Sequence, residues 1–203
     1  MNQETSDARI AHIPALADDI AEVLITEKEI RQRIAELGAQ ISEDYRDKDP
    51  LLVGVLRGVF IFMADLVRTI TIPIEVDFIG ITRYGPSMRT KGAVRFTKDL
   101  DIYMSGRHVL FVEDVIDTGL SLRYIIRSLQ ARSPASLKMC VLFNKPRSRL
   151  FDLDVAYTGF TLPDKFVVGY GLDYEEKYRN LPFVGVLKEE AITRRQLPEG
   201  AQT

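Results

Sequence analysis

One stretch limits what this chain can fold into: His108-Val109-Leu110-Phe111-Val112-Glu113-Asp114-Val115-Ile116-Asp117-Thr118-Gly119-Leu120-Ser121-Leu122. Val109 to Val112 is a continuous apolar run of branched and aromatic side chains, the pattern of a buried strand. Two adjacent carboxylates end it. After two more apolar residues comes a small-residue turn, Asp117 to Ser121, and then Leu122, Ile125, Ile126 and Leu129 at helical spacing. Strand, acidic tip, hydroxyl-rich turn and helix together suggest an anion site. The free N–H groups of a helix start, with the Thr118 and Ser121 hydroxyls, suit a phosphate. Two acids beside such a cradle suit a polyol, or a metal that travels with the phosphate.

The rest of the composition narrows the class. The chain has 203 residues, enough for one domain with a substantial core, so 1–203 is read as a single domain with flexible tails at about 1–12 and 192–203. A formal net charge of −2 argues against bulk nucleic-acid or anionic-membrane binding. Cys140 stands alone, which fits a reducing compartment. The polar start MNQETSDARI lacks the pattern of a signal peptide, and no apolar run is long enough to span a bilayer. A cytoplasmic protein is expected.

Thr26 to Glu29 reads as a capping box, followed by Ile30, Ile34, Leu37 and Ile41 on one helical stripe. Leu51 to Leu56 is a buried strand, broken by Arg57-Gly58 before a helix from about Val59. That turn is either a second anion-binding turn or a plain connection. From Ile74 a strand alternates, with Val76 and Phe78 expected inside and Glu75 and Asp77 outside. Thr82 to Gly92 is polar, basic and aperiodic, a mobile loop of the kind that serves as a lid. Val94 and Phe96 mark a short strand. Leu137 to Phe143 is another strand, with Lys145 just past its end. Short strands are expected at 154–158, 166–171 and 183–187, the last closing the sheet. Strands alternating with helices predict an α/β fold: a doubly wound, mostly parallel sheet flanked by helices. Ligands in such sheets bind outside the carboxyl ends of the strands, so Arg57, the two acids, the turn and Lys145 should share one edge. Asp117 has two readings, a helix N-cap and a general base. His12, His108 and Cys140 are read as structural or solvated.

These residues carry a resemblance. Val112 to Gly119 resembles the diphosphoribose-binding motif of the type I phosphoribosyltransferases, and most nearly the 6-oxopurine branch. Val55-Leu56-Arg57-Gly58 resembles that family's pyrophosphate loop, and Lys145 its purine-reading lysine. Pro163 to Tyr170 resembles its base-binding segment, and Leu172-Asp173-Tyr174 with Arg179 its later metal and pyrophosphate elements. The likeness covers roughly residues 25–188.

The resemblance implies transfer of 5-phosphoribosyl from 5-phosphoribosyl 1-diphosphate to a 6-oxopurine, with Mg²⁺ as cofactor. It also implies a small hood built from the terminal segments and a homodimer or homotetramer. By residue, it implies Glu113 and Asp114 on the ribose hydroxyls and near the metal, and Asp173 at a second metal. Asp117, Thr118, Gly119, Leu120 and Ser121 would hold the 5′-phosphate. Arg57, Gly58, Arg179 and Tyr84 would hold pyrophosphate. Asp117 would take the N7 proton, and Lys145 would donate to O6, which favours oxo over amino purines. Phe166 would stack on the base, with the carbonyls of Val167 and Asp173 meeting a 2-amino group. The chain departs from the family pattern at Arg57, where Lys is usual, at Leu120, where a polar residue is common, and at Arg83, where Ser is usual. The rival reading is a regulator of the same fold, of the pyrimidine-operon type, that binds nucleotide or RNA. Asp117 and the modest charge argue against it.

Overall fold

The computed structural model describes residues 16, 18–83, 94–148, 150 and 153–196. They form two compact units, one within residues 32–164 and the other from residues up to 31 together with those from 165 onward.

The larger unit is built on a six-stranded sheet. Its strands are β2 (Leu51–Leu56), β3 (Glu75–Arg83), β4 (Val94–Lys98), β5 (His108–Ile116), β6 (Ser136–Asn144) and β7 (Tyr157–Thr161), in the order β4-β3-β2-β5-β6-β7. All neighbours run parallel except β3 and β4. The parallel strands are near-continuous apolar runs because both faces are covered. On one face Leu51, Val53, Val55, Val109 and Phe111 pack with Leu122, Ile125 and Leu129 of a helix, Leu120–Gln130. On the other, the helix Phe60–Val67 comes so near that a Cβ on Gly54 would meet Val59 at 2.9 Å and Met63 at 3.0 Å. These two helices are α3 and α2. Helix α1 (Glu27–Asp44) begins with the expected capping box: Glu29 N–H donates to Thr26 Oγ1 (3.3 Å), and Glu29 Oε2 accepts from Thr26 N–H (2.8 Å). Its Ile30, Ile34, Leu37 and Ile41 are buried.

The smaller unit holds an antiparallel sheet in the order β1-β9-β8, from β1 (Ile20–Ile25), β8 (Val167–Val168) and β9 (Val184–Leu187), and helix α4 (Glu189–Gln196). Its core is Val168, Tyr178, Leu181, Phe183 and Leu187.

Several expectations change. Strand β9 pairs in this second sheet and does not close the large one. The strand expected at 166–171 is only Val167–Val168, because Gly169, Tyr170 and Gly171 all take positive φ and turn the chain. The strand expected at 154–158 is β7, three residues later. The alternation of β3 holds only in part: Glu75 is exposed as expected, but Asp77 is buried with Ile79 while Val76 and Phe78 are half-buried. The alternation fails at Asp77 because four donors from β3, β4 and the following segment satisfy its carboxylate and allow it to be buried. Thr82 and Arg83 belong to β3, and the rest of the expected lid through Gly92, with Tyr84, lies outside the described residues. Helix α4 runs into the stretch read as a C-terminal tail.

Candidate active site

Strands β2, β5 and β6 are neighbours in the sheet, so their carboxyl ends lie side by side. Arg57 follows β2 across a cis Leu56–Arg57 peptide bond. Gly58 lies flat against the next tip, and a Cβ there would sit 1.8 Å from Asp114 Oδ2. Asp114 is buried, and its Oδ1 accepts the Val115 N–H at 2.8 Å.

The acids do not leave the strand together, as the sequence reading had it. Strand β5 continues through them to Ile116, and successive side chains of a strand point to opposite faces. Asp114 turns toward Gly58. Glu113 turns the other way, and its Oε2 is shut off from water with no hydrogen-bond partner among the described residues. Burial, and then the charge of Asp114, push the Glu113 carboxyl well above the usual carboxylate range.

The turn from Asp117 to Ser121 leads into α3. Gly119 holds the N-cap position at φ +76°, a left-handed conformation suited to glycine, and no side chain bonds to that helix start. The N-cap reading of Asp117 is therefore overturned: the helix begins at Leu120, and the Asp117 side chain is exposed. Thr118 and Ser121 are half-buried and Leu120 is exposed. Lys145, buried, is tied to the end of β5, just before this turn, by its backbone N–H, which donates to Ile116 O at 3.0 Å. Leu150 N–H donates to Thr118 O at 3.1 Å, and Leu153 lies against Gly119.

In the smaller unit Phe166 precedes β8 and is half-exposed. Val167 is buried and pairs with Val186. Asp173 accepts the Glu176 N–H (2.9 Å) and pairs with Arg179 (2.8 Å). Arg179 also donates to Gly171 O (2.7 Å) and to Glu176 (3.1 Å), so its guanidinium braces the loop that carries Asp173.

Residues 21–175 match the phosphoribosyl transferase domain family. The hypoxanthine-guanine phosphoribosyltransferase of Bacillus subtilis is 47% identical over 170 residues, covering 84% of this chain and 94% of the relative. That of Mycobacterium avium is 48% identical over 175 residues, covering 83% and 86%. The solved hypoxanthine phosphoribosyltransferase of Staphylococcus aureus superposes with a TM-score of 0.83 at 41% identity, covering 87% of this chain and 96% of that one. The chain belongs to the hypoxanthine-guanine phosphoribosyltransferase family. It is an enzyme of the glycosyltransferase type with the mostly parallel α/β fold of that family.

The resemblance of the sequence to this family implies Mg²⁺, so the fit of a hard cation matters. Among the described residues no three His, Cys, Asp or Glu side chains gather into a metal-holding cluster. Mg²⁺ needs no such cluster when one or two carboxylates and the substrate's phosphates supply its oxygens. Asp114, at the strand tip beside Gly58, fits that mode as one such carboxylate, and Glu113, with its unpartnered Oε2 on the opposite face of β5, is an oxygen donor the fold leaves in reserve.

Two residues of consequence escaped the sequence reading. Asp77 accepts N–H groups from Phe78 (2.7 Å), Asp101 (2.7 Å) and Ile102 (2.9 Å), and Lys98 Nζ (3.2 Å). Nothing local marks it, since an alternating strand disguises a buried acid as a surface one. Tyr174 is the other: the sequence places it in the Leu172-Asp173-Tyr174 element as a core or rim residue without a role of its own, and its ring meets that of Phe166 edge-on at 5.6 Å.

Proposed function

We propose that this chain transfers 5-phosphoribosyl from 5-phosphoribosyl 1-diphosphate to N9 of hypoxanthine or guanine, giving IMP or GMP and pyrophosphate in purine salvage. What supports the reading is the turn of residues 117–121 that joins the acidic end of β5 to α3, with Lys145 N–H bonded to Ile116 O at the end of that strand.

The backbone N–H groups of Asp117 to Ser121, with the Thr118 and Ser121 hydroxyls, hold the 5′-phosphate. Asp114, at the tip beside Gly58, meets one ribose hydroxyl, and Glu113 meets the other once its side chain swings from the opposite face of β5. Arg57, Gly58 and Arg179 take the pyrophosphate, joined by Tyr84. Lys145 donates to O6. An ammonium has no acceptor, so an amino purine meets only donors there. Phe166 stacks on the base, and the carbonyls of Val167 and Asp173 receive the 2-amino group of guanine. Asp117, exposed and free of a capping role, takes the N7 proton as N9 attacks the anomeric carbon. Glu113 and Asp114 would hold a Mg²⁺ ion and Asp173 would support a second one, and the ion would supply charge neutralisation for the pyrophosphate. The resemblance also supports a homodimer or homotetramer in the cytoplasm. Among the described residues no helix is long and apolar enough to cross a membrane. The regulatory alternative is weakened by relatives that are named as transferases over most of their length.

Purified protein with the diphosphoribose donor and Mg²⁺ is expected to consume hypoxanthine or guanine and to leave adenine and uracil untouched. Absence of turnover with every oxopurine would overturn the reading. Asp117→Asn is expected to lower kcat by about 10²-fold or more while donor KM moves little, as loss of a general base requires. Loss of donor binding with kcat retained would reassign Asp117 to the phosphate.

A further inference from the structure

We propose that Tyr174 is a positioning residue for purine recognition, one that fixes the ring of Phe166 through a T-shaped contact and joins it to the turn carrying Asp173. This rests on the reading of Phe166 as the stacking residue.

Phe166 is 52% exposed, at the entry to β8. A half-exposed ring has freedom about its side-chain torsions, and a stacking platform works only if its plane is held before the base arrives. The ring of Tyr174 supplies that hold. The two centroids are 5.6 Å apart and the planes cross at 82°. This is the edge-to-face geometry that aromatic quadrupoles favour, and it discriminates among ring orientations where an aliphatic contact would not.

Tyr174 is itself anchored on three sides. Its N–H donates to Lys177 O (3.2 Å), and its carbonyl accepts the Lys177 N–H (3.1 Å). Its hydroxyl donates to Ile192 O in α4 (3.5 Å). Its ring packs on the cluster of Val168, Tyr178, Leu181, Phe183 and Leu187. The turn it opens is tightly specified: Glu175, Glu176 and Tyr178 all take left-handed φ, at 52°, 63° and 72°. Non-glycine residues persist there only when their surroundings dictate it. Asp173 and Arg179 provide that constraint through the Glu176 N–H and the Gly171 carbonyl. One tyrosine thus links the exposed ring, the braced Asp173 turn and α4.

Steady-state kinetics on the full chain test this. Tyr174→Leu is expected to raise the oxopurine KM by about three- to tenfold, the scale of one aromatic contact, with donor KM and kcat little changed. Tyr174→Phe keeps the ring and is expected to restore the purine KM. In a Phe166→Leu background, Tyr174→Leu is expected to add nothing further, because the two residues act as one unit. Equal rises in both KM values, additive effects with Phe166→Leu, or the same defect in the Phe and Leu variants would each overturn the proposal. If Tyr174→Leu does not fold, Tyr174→Met fills a similar volume without a ring and takes its place. A wild-type chain that turns over no oxopurine would defeat the functional reading instead. A wild-type chain that turns over oxopurines, with a purine KM unmoved by Tyr174→Leu, would defeat the positioning role alone.

Discussion

Gly58 shows how a residue with no side chain can decide where a functional one sits. A turn glycine after a strand was visible in the sequence, but its reason was not, because the neighbour that requires it comes from another strand. A Cβ on Gly58 would fall 1.8 Å from Asp114 Oδ2, far inside contact distance. Asp114 is buried and bonded to Val115 N–H, so it cannot shift without losing that bond. Gly58→Ala is therefore expected to displace the Asp114 carboxylate and raise donor KM by about tenfold or more, the cost of a misplaced charged hydrogen-bonding group. Purine KM is expected to change less. Unchanged donor KM in this variant would separate Asp114 from the ribose. Asp117 teaches a related lesson. Cap and base were equally legible from the local sequence, and only the left-handed Gly119 at the helix start removed the cap.

At the scale of elements, the helices and parallel strands of the larger unit were legible because their periodicity reports burial directly. The spacing of Ile30, Ile34, Leu37 and Ile41 matches a stripe that is buried in full. The acids of β5 were misread for a physical reason. Polar residues usually end a buried strand, yet hydrogen bonding to β6 continues through Ile116, and the strand keeps its pleat. Strand β1 and helix α4 went unread because Ile20–Ile25 mixes polar and apolar residues and Glu189–Gln196 is strongly polar. Strand β3 gives the sharpest case. Asp77 binds the start of the segment after β4 through the Asp101 and Ile102 N–H groups, and ties Lys98 of β4 to β3. One carboxylate thus fixes the return of the β3–β4 hairpin. Asp77→Asn places an amide N–H₂ where an oxygen accepted backbone donors, leaving buried donors facing each other. A loss of about 2–4 kcal/mol is expected in chemical denaturation, since charged hydrogen bonds and buried unpaired donors are both involved. A loss below about 0.5 kcal/mol, typical of a surface position, would make the clamp decorative.

For the molecule as a whole, two buried carboxylates act on stability in opposite senses with pH. Burial alone would raise the Asp77 carboxyl, but the N–H groups of Ile102, Phe78 and Asp101, with the Lys98 ammonium, together hold it below its ordinary value. The folded state therefore binds this proton less readily than the unfolded chain. Its stabilisation is complete above the ordinary Asp range, near about 4, and is lost as pH falls through the lower folded value. Glu29, lowered by its bonds to Thr26, adds to the same arm. Glu113 does the reverse. Its folded carboxyl is raised by burial and by Asp114, so between the ordinary Glu range and that raised value the folded state holds more protons than the unfolded one. Stability must fall as pH rises through this window. The buried Tyr45 hydroxyl and Cys140 thiol, both pushed up to about 12 by burial, stay neutral throughout it, so neither adds to the slope. The melting temperature of the ligand-free protein is thus expected to peak on the acidic side of neutral. Glu113→Gln is expected to flatten the alkaline arm and raise the neutral-pH melting temperature by a few degrees, the equivalent of about 1 kcal/mol in a chain of this size. The same variant is expected to bind the diphosphoribose donor more weakly. A carboxylate kept dry and unpartnered at the cost of stability is what a ligand-facing group requires. Melting curves from about pH 4 to 9 on both proteins, with donor KM measured alongside, provide the check. An alkaline arm that survives Glu113→Gln unchanged would mean that the Oε2 of Glu113 is not the group the fold leaves unsatisfied.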